Sequence, residues 1–230
     1  MNATTVSDAA ALDARDLYRF FRAGEEETLA LRGVSLRVRR GETVAVVGPS
    51  GSGKSTLLAC LAGLDEPAGG SVHIGGERIS HRPESERARL RAHRIGVVTQ
   101  SGNLIAHLTV VENVRLARGA APGKSKQPVG ELLEQVGLGH RGHALPRELS
   151  GGELARAGLA VALANDPDVL LADEPTGELD GSTEQRVLDL LRSRADASRG
   201  VLLVTHSAEA VRIADRVVAL HDGRIRDDQR

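Results

Sequence analysis

An α/β fold is what this 230-residue sequence predicts: a central, mainly parallel sheet, smaller antiparallel strands near the N-terminus and an inserted helical lobe at about 101–165. Three observations predict it. The runs at 43–47, 169–172 and 201–205 are apolar and rich in Val and Leu on both faces, which marks strands buried inside a parallel sheet. Between 101 and 165 helical periodicity dominates, most clearly at 131–136. Finally, a strand, a glycine-rich turn and an apolar-striped helix follow one another between 43 and 61, the setting a phosphate-cradling loop requires.

Taken in order, residues 1–13 are small and polar and read as a loose tail, leaving 14–230 as a single domain. The chain's three aromatics, Tyr18, Phe20 and Phe21, fall within four residues; in a strand Tyr18 and Phe20 share one face and Phe21 takes the other. Tyr18 and Phe20 read as ordinary core packing. Strands are expected at 29–38, 43–47, 71–74, 95–99, 169–172, 201–205 and 216–220. The stretch 119–128, with two Gly, two Pro and two Lys, reads as a solvated surface loop.

The turn after 43–47 carries Gly48, Pro49, Ser50, Gly51, Ser52, Gly53, Lys54, Ser55 and Thr56, which fits G-x-x-x-x-G-K-[ST]. Chance would produce that pattern in about one per cent of chains this long. Lys54 is one of only three lysines, the others being Lys124 and Lys126, in a chain that otherwise uses Arg. A compact ammonium suits a phosphate pocket that a planar guanidinium does not. The helix N-terminus adds free N–H donors and a partial positive charge there. Ser55 is then the hydroxyl expected on Mg²⁺.

A second constellation lies at 169–174, an apolar strand ending in Asp173 and Glu174. Carboxylates at a strand's C-terminal edge sit where open α/β sheets bind ligands. Asp173 would support Mg²⁺, directly or through water, and Glu174 could polarise an attacking water as general base. Ahead of the helix at 154–164, Ser150 and Glu153 have capping-box spacing, so a well-capped helix is one reading. Gly151 and Gly152 leave backbone N–H groups unshielded, which suits an anion as well. Both readings stand together.

Composition narrows the partners. With 30 Lys plus Arg against 31 Asp plus Glu, the chain lacks the basic field that draws proteins to nucleic acid, and nucleic acid is excluded as the main ligand. Its single Cys60 rules out an internal disulfide and a cysteine zinc site, and reads as core packing in a reducing compartment. No run of about 18 apolar residues offers a membrane span, so a cytoplasmic location is expected. The N-K-x-D element of guanine readers is missing, which favours ATP over GTP.

The phosphate loop at 48–56, Gln100 after a strand, Leu-Ser-Gly-Gly-Glu at 149–153, Leu-Leu-Ala-Asp-Glu-Pro at 170–175, Gly-Glu-Leu-Asp at 177–180 and Thr205-His206 come in one order and spacing. Together they resemble an ATP-binding cassette (ABC) ATPase over nearly the whole chain, and the wording around 146–153 and 171–177 looks most like the lipoprotein-release, macrolide-export and cell-division branch. The resemblance implies a P-loop NTPase core and a head-to-tail dimer, homodimeric or with a homologous cassette, enclosing two ATP molecules. In it Ser150, Gly151, Gly152 and Glu153 of one chain face the γ-phosphate held by Lys54 of the other. Gln100 helps coordinate Mg²⁺, Asp180 couples the two sites, and His206 contacts the γ-phosphate beside Glu174. Phe21 is the aromatic aligned to stack on adenine.

The resemblance further implies a separate transmembrane permease as partner, with the cassette on the inner face of the cell membrane. Departures from the branch are Val98, Thr99 and Gly102 around Gln100, where aromatics are frequent, and Glu178 in place of Asn; neither removes a catalytic group. An ATP-gated signalling module acting on a membrane partner without transport is the alternative. A small-molecule kinase conflicts with the Ser-Gly-Gly element and the Asp173–Glu174 pair.

Overall fold

The computed structural model describes residues 7–23, 26–99, 103–177 and 179–229. Alternating apolar and polar positions make β1 (Ser7–Ala23) and β2 (Glu26–Arg40) an antiparallel pair, and β4 (Gly69–Ile74) and β5 (Glu77–Arg78) complete a four-stranded sheet in the order β2-β1-β4-β5. Six further strands, β3 (Thr43–Val47), β6 (Ile95–Val98), β7 (Val169–Asp173), β8 (Gly200–Val204), β9 (Arg216–His221) and β10 (Arg224–Gln229), form a second sheet ordered β10-β9-β3-β8-β7-β6. Its inner pairs are parallel and only β9–β10 is antiparallel.

The parallel strands are buried on both faces, as their composition predicts. Val169, Leu171, Leu202 and Val204 face one core with α1 (Lys54–Leu61) and the antiparallel sheet. Their neighbours Leu170, Ala172, Val201 and Leu203 face a second core. That core is covered by α3 (Val110–Gly119), α4 (Val129–Gln135), α5 (Gly151–Leu163) and α6 (Gly181–Arg192). Between the sheets and this lobe in sequence, α2 (Glu84–Arg94) precedes β6, and α7 (Ala208–Ile213) precedes β9.

Two expectations are corrected. From Ser7 onward the supposed tail is strand, with Ala11 and Leu12 fully buried and Leu12 paired to both Val38 and Ile74. Its small residues serve packing: a Cβ placed on Gly200 would stand 3.0 Å from that of Ala11. Tyr18 and Phe20 are not core residues, being 45% and 39% exposed. Register shifts between Leu17 and Tyr18 and between Arg19 and Phe20 break the strict alternation on which that assignment rested.

Candidate functional site

The strand at 43–47 ends at the C-terminal edge of the parallel sheet, and the chain there wraps into the phosphate loop before entering α1. Two glycines make the wrap possible. A Cβ on Gly48 would lie 2.1 Å from the Leu220 carbonyl oxygen, and one on Gly53, at φ 103°, would lie 2.5 Å from that of Ala30. Lys54, 8% exposed, donates from Nζ to the Gly48 and Pro49 carbonyls at 2.7 and 2.9 Å. The ammonium is thus parked on the loop's own oxygens, in position to exchange them for an anion. Ser52 is buried behind the loop and its Oγ has no hydrogen-bond partner.

A cleft of about 840 Å³ opens in front of this loop. Ser50, Gly51, Gly53, Lys54, Ser55 and Thr56 line it together with Asp173, Glu174 and His206. Phe21 lies at its edge, 44% exposed. Gly51 at φ 78° has open space where a Cβ would be, so its backbone is accessible from the cleft. Gly48, Pro49 and Ser52 shape the loop without lining the cavity.

The acidic side is organised by strand ends. Burial, and then the neighbouring Glu174, push the Asp173 carboxyl above its usual range, while Lys54 and a hydrogen bond from Ser55 pull it back. Glu174 adopts φ 45°, a left-handed conformation rare for a residue with a side chain, fixed by its N–H donating to the Val204 carbonyl at 2.9 Å. Its Oε2 accepts from the His206 backbone N–H at 3.2 Å. Its Oε1 is 3.5 Å from His206 Nε2, close enough for an ion pair but making no hydrogen bond. Oε1 of Glu174 is therefore buried beside His206 with no hydrogen-bond partner of its own.

Among the described residues no group of three or more His, Cys, Asp or Glu forms a metal centre. The donors that are present, the Ser55 hydroxyl beside the Asp173 carboxylate, are hard oxygens suited to Mg²⁺ that takes its remaining ligands from water and phosphate. Residue 100, the third expected metal contact, lies outside the described residues, as does Glu178.

Ser150, Gly151, Gly152, Glu153 and Asp180 do not line the cleft. Ser150 caps α5 reciprocally with Glu153: Glu153 N–H donates to Ser150 Oγ at 3.3 Å, and Ser150 N–H donates to Glu153 Oε2 at 2.9 Å. Ser150 and Gly151 are exposed, whereas Gly152 packs on α6, where a Cβ would meet Thr183 Cγ2 at 2.1 Å. Asp180 caps α6 through the Thr183 N–H and both hydroxyls of Ser182 and Thr183, bonds that hold its carboxyl below the usual range.

Sequence reasoning missed part of the wall: Thr28, Leu29, Ala30 and Arg32 of β2, and Asp222 and Gly223. The first four carry no motif and arrive through sheet pairing. The last two had a signal, since Asp-Gly with both φ positive, 46° and 72°, is a tight hairpin turn between β9 and β10.

A family profile described as ABC transporter matches residues 31–177. The chain is 45% identical over 218 residues to an ABC transporter ATP-binding protein of Thermotoga maritima, covering 94% of this chain and 93% of the relative. It is 44% identical to the lipoprotein-releasing system ATP-binding protein LolD of Pseudomonas syringae pv. tomato, covering 96% and 99% of the two chains. A dimeric ATP-binding cassette solved in a post-hydrolysis state with ADP and Pi superposes with a TM-score of 0.87 at 33% identity, covering 95% of this chain and 98% of that one. These likenesses bear out the resemblance carried by the motifs. The chain belongs to the ABC transporter family, as the ATP-binding and ATP-hydrolysing subunit of a membrane transport complex.

Proposed function

We propose that this chain works as half of an ATP sandwich: it binds Mg²⁺–ATP in the 840 Å³ cleft and closes head-to-tail on a second cassette, the closure and reopening driving a separate permease. The observation carrying this reading is the division of the motifs between two surfaces. Lys54, Asp173 and Glu174 line the cleft, but the exposed Ser150 and Gly151 at the start of α5 do not. An exposed helix start outside the cleft of its own chain fits a nucleotide held by another chain. The relative solved as a dimer with ADP and Pi supports the arrangement.

In the proposed reaction the Lys54 ammonium exchanges the Gly48 and Pro49 carbonyls for the β- and γ-phosphate oxygens, and the loop's N–H groups cradle the rest. Ser55, Asp173 and Gln100 would hold Mg²⁺, which would neutralise negative charge developing on the phosphates. Glu174, held at Val204 and His206, takes the proton of the attacking water. His206 stands beside it to contact the γ-phosphate, Phe21 stacks on the adenine, and Asp180 relays closure between sites. Among the described residues no helix is long and apolar enough to cross a membrane; the likeness to the ATP-binding protein of a lipoprotein-releasing system supports a separate permease and a place at the inner membrane face.

Glu174→Gln tests the reading. We expect hydrolysis to fall by about 10²- to 10⁴-fold, the usual worth of a positioned base, with an ATP-dependent dimer accumulating in size-exclusion chromatography. A variant that stays monomeric with ATP and hydrolyses at the normal rate would sink both the base assignment and the sandwich.

A further inference from the structure

The Phe21 ring is not a bare platform. Arg19, two residues earlier on β1, places its guanidinium carbon 4.8 Å from the ring centroid, within cation–π range, while Phe21 keeps enough exposure to line the cleft. The guanidinium is itself anchored: Arg19 Nε donates to Asp65 Oδ2 at 2.8 Å, with both side chains about three-quarters buried. Asp65 is fixed in turn, since its Oδ1 accepts the Glu66 N–H at 2.9 Å and its own N–H donates to the Ala59 carbonyl at 3.1 Å. Ala59 belongs to α1, the helix that starts at Lys54. A continuous set of contacts therefore runs from the phosphate loop through α1, Asp65 and Arg19 to Phe21.

We propose that Arg19 is a positioning residue for the nucleobase: clamped by Asp65, it covers one face of Phe21, fixes the ring's distance from the phosphate loop and leaves the other face for adenine. The inference rests on the reading of Phe21 as the adenine platform. An exposed ring free to rotate loses entropy on stacking, and a guanidinium already seated on its back face removes part of that cost before nucleotide arrives. Arg19 does not line the cleft, so its contribution is confined to the base end of the ligand.

The test compares ATP with inorganic tripolyphosphate, which carries the phosphates without the base. In full-length chain, Arg19→Met should raise the KM for ATP about two- to fivefold, the scale of a partly exposed cation–π contact, while kcat and the inhibition constant of tripolyphosphate stay within about 1.5-fold. Asp65→Asn, which leaves Arg19 in place but unclamped, should shift KM in the same direction. If Phe21→Ala weakens ATP and Arg19→Met does not, the clamp is wrong and the platform stands. If Phe21→Ala leaves ATP affinity unchanged, the platform and the clamp fall together. Equal weakening of ATP and tripolyphosphate by Arg19→Met would overturn the proposal by showing a general disturbance of the fold.

Discussion

Lys54 shows how far a single residue can be read. Its spacing from Gly48 and Gly53 and its rarity in an Arg-rich chain single it out, and the structure parks its ammonium on two carbonyls that a phosphate would displace. Lys54 is 8% exposed and its ammonium makes point contacts with two loop carbonyls, which a planar, forked guanidinium does not reproduce. Lys54→Arg should therefore weaken ATP binding about as much as Lys54→Ala, about 10- to 100-fold for a lost charge-assisted contact, by equilibrium titration with a fluorescent nucleotide. Retention of near-normal affinity by the Arg variant would show that charge alone suffices. Other residues were less legible. Tyr18 and Phe20 look like core in sequence because apolar side chains in a strand usually are; backbone bulges, which leave no trace in hydrophobic pattern, turn them to solvent.

At the scale of elements, helix α5 does two jobs at its first turn. The reciprocal Ser150–Glu153 cap stabilises the helix, and in the proposed sandwich the same turn, where Ser150 and Gly151 are exposed, faces the nucleotide of the other chain. Ser150→Ala should cost about 1 kcal/mol of stability, measured by urea unfolding. The cap is also pH-dependent. The Ser150 N–H, first among its causes, holds the Glu153 carboxyl below its ordinary value, so ionised Glu153 favours the folded chain. That contribution is present above the unfolded value of about 4.3 and is lost as pH falls through the lower folded value. The stability gap between wild type and Glu153→Gln should accordingly be wider at pH 7 than below pH 4, and an unchanged gap would show that the charge contributes nothing. This element was legible because S-x-x-E before an apolar run is a local signal. The β9–β10 hairpin carried an equally local signal in Asp222-Gly223, which sequence reasoning passed over, but the start of β1 was hidden, its small residues resembling a tail until Ala11 and Val38 are seen closing around Gly200.

Across the whole molecule, the order of motifs along the chain is visible in sequence, but their distribution in space is not, because the distance from Ser150 to Lys54 depends on how α5 is seated over the second core. That seating leaves Ser150 and Gly151 exposed and outside the cleft, so each proposed site combines the phosphate loop of one chain with the α5 start of another. Complementation between two defective chains tests this arrangement. Lys54→Ala removes the phosphate loop's cation, and Ser150→Phe blocks the facing helix start with a bulky ring while leaving the cleft of its own chain intact. A pair of identical variants would have no complete site, so either variant alone should neither dimerise with ATP nor hydrolyse it. Their mixture forms heterodimers in which the sound loop of the Ser150→Phe chain meets the sound helix start of the Lys54→Ala chain, giving one complete site. Mixing equal amounts should therefore restore ATP-dependent dimerisation by size exclusion and one trapped nucleotide per pair when both chains also carry Glu174→Gln. If Ser150→Phe alone bound and hydrolysed ATP normally, and mixing added nothing, each chain would hold its whole site and the second cassette would have no part in the chemistry.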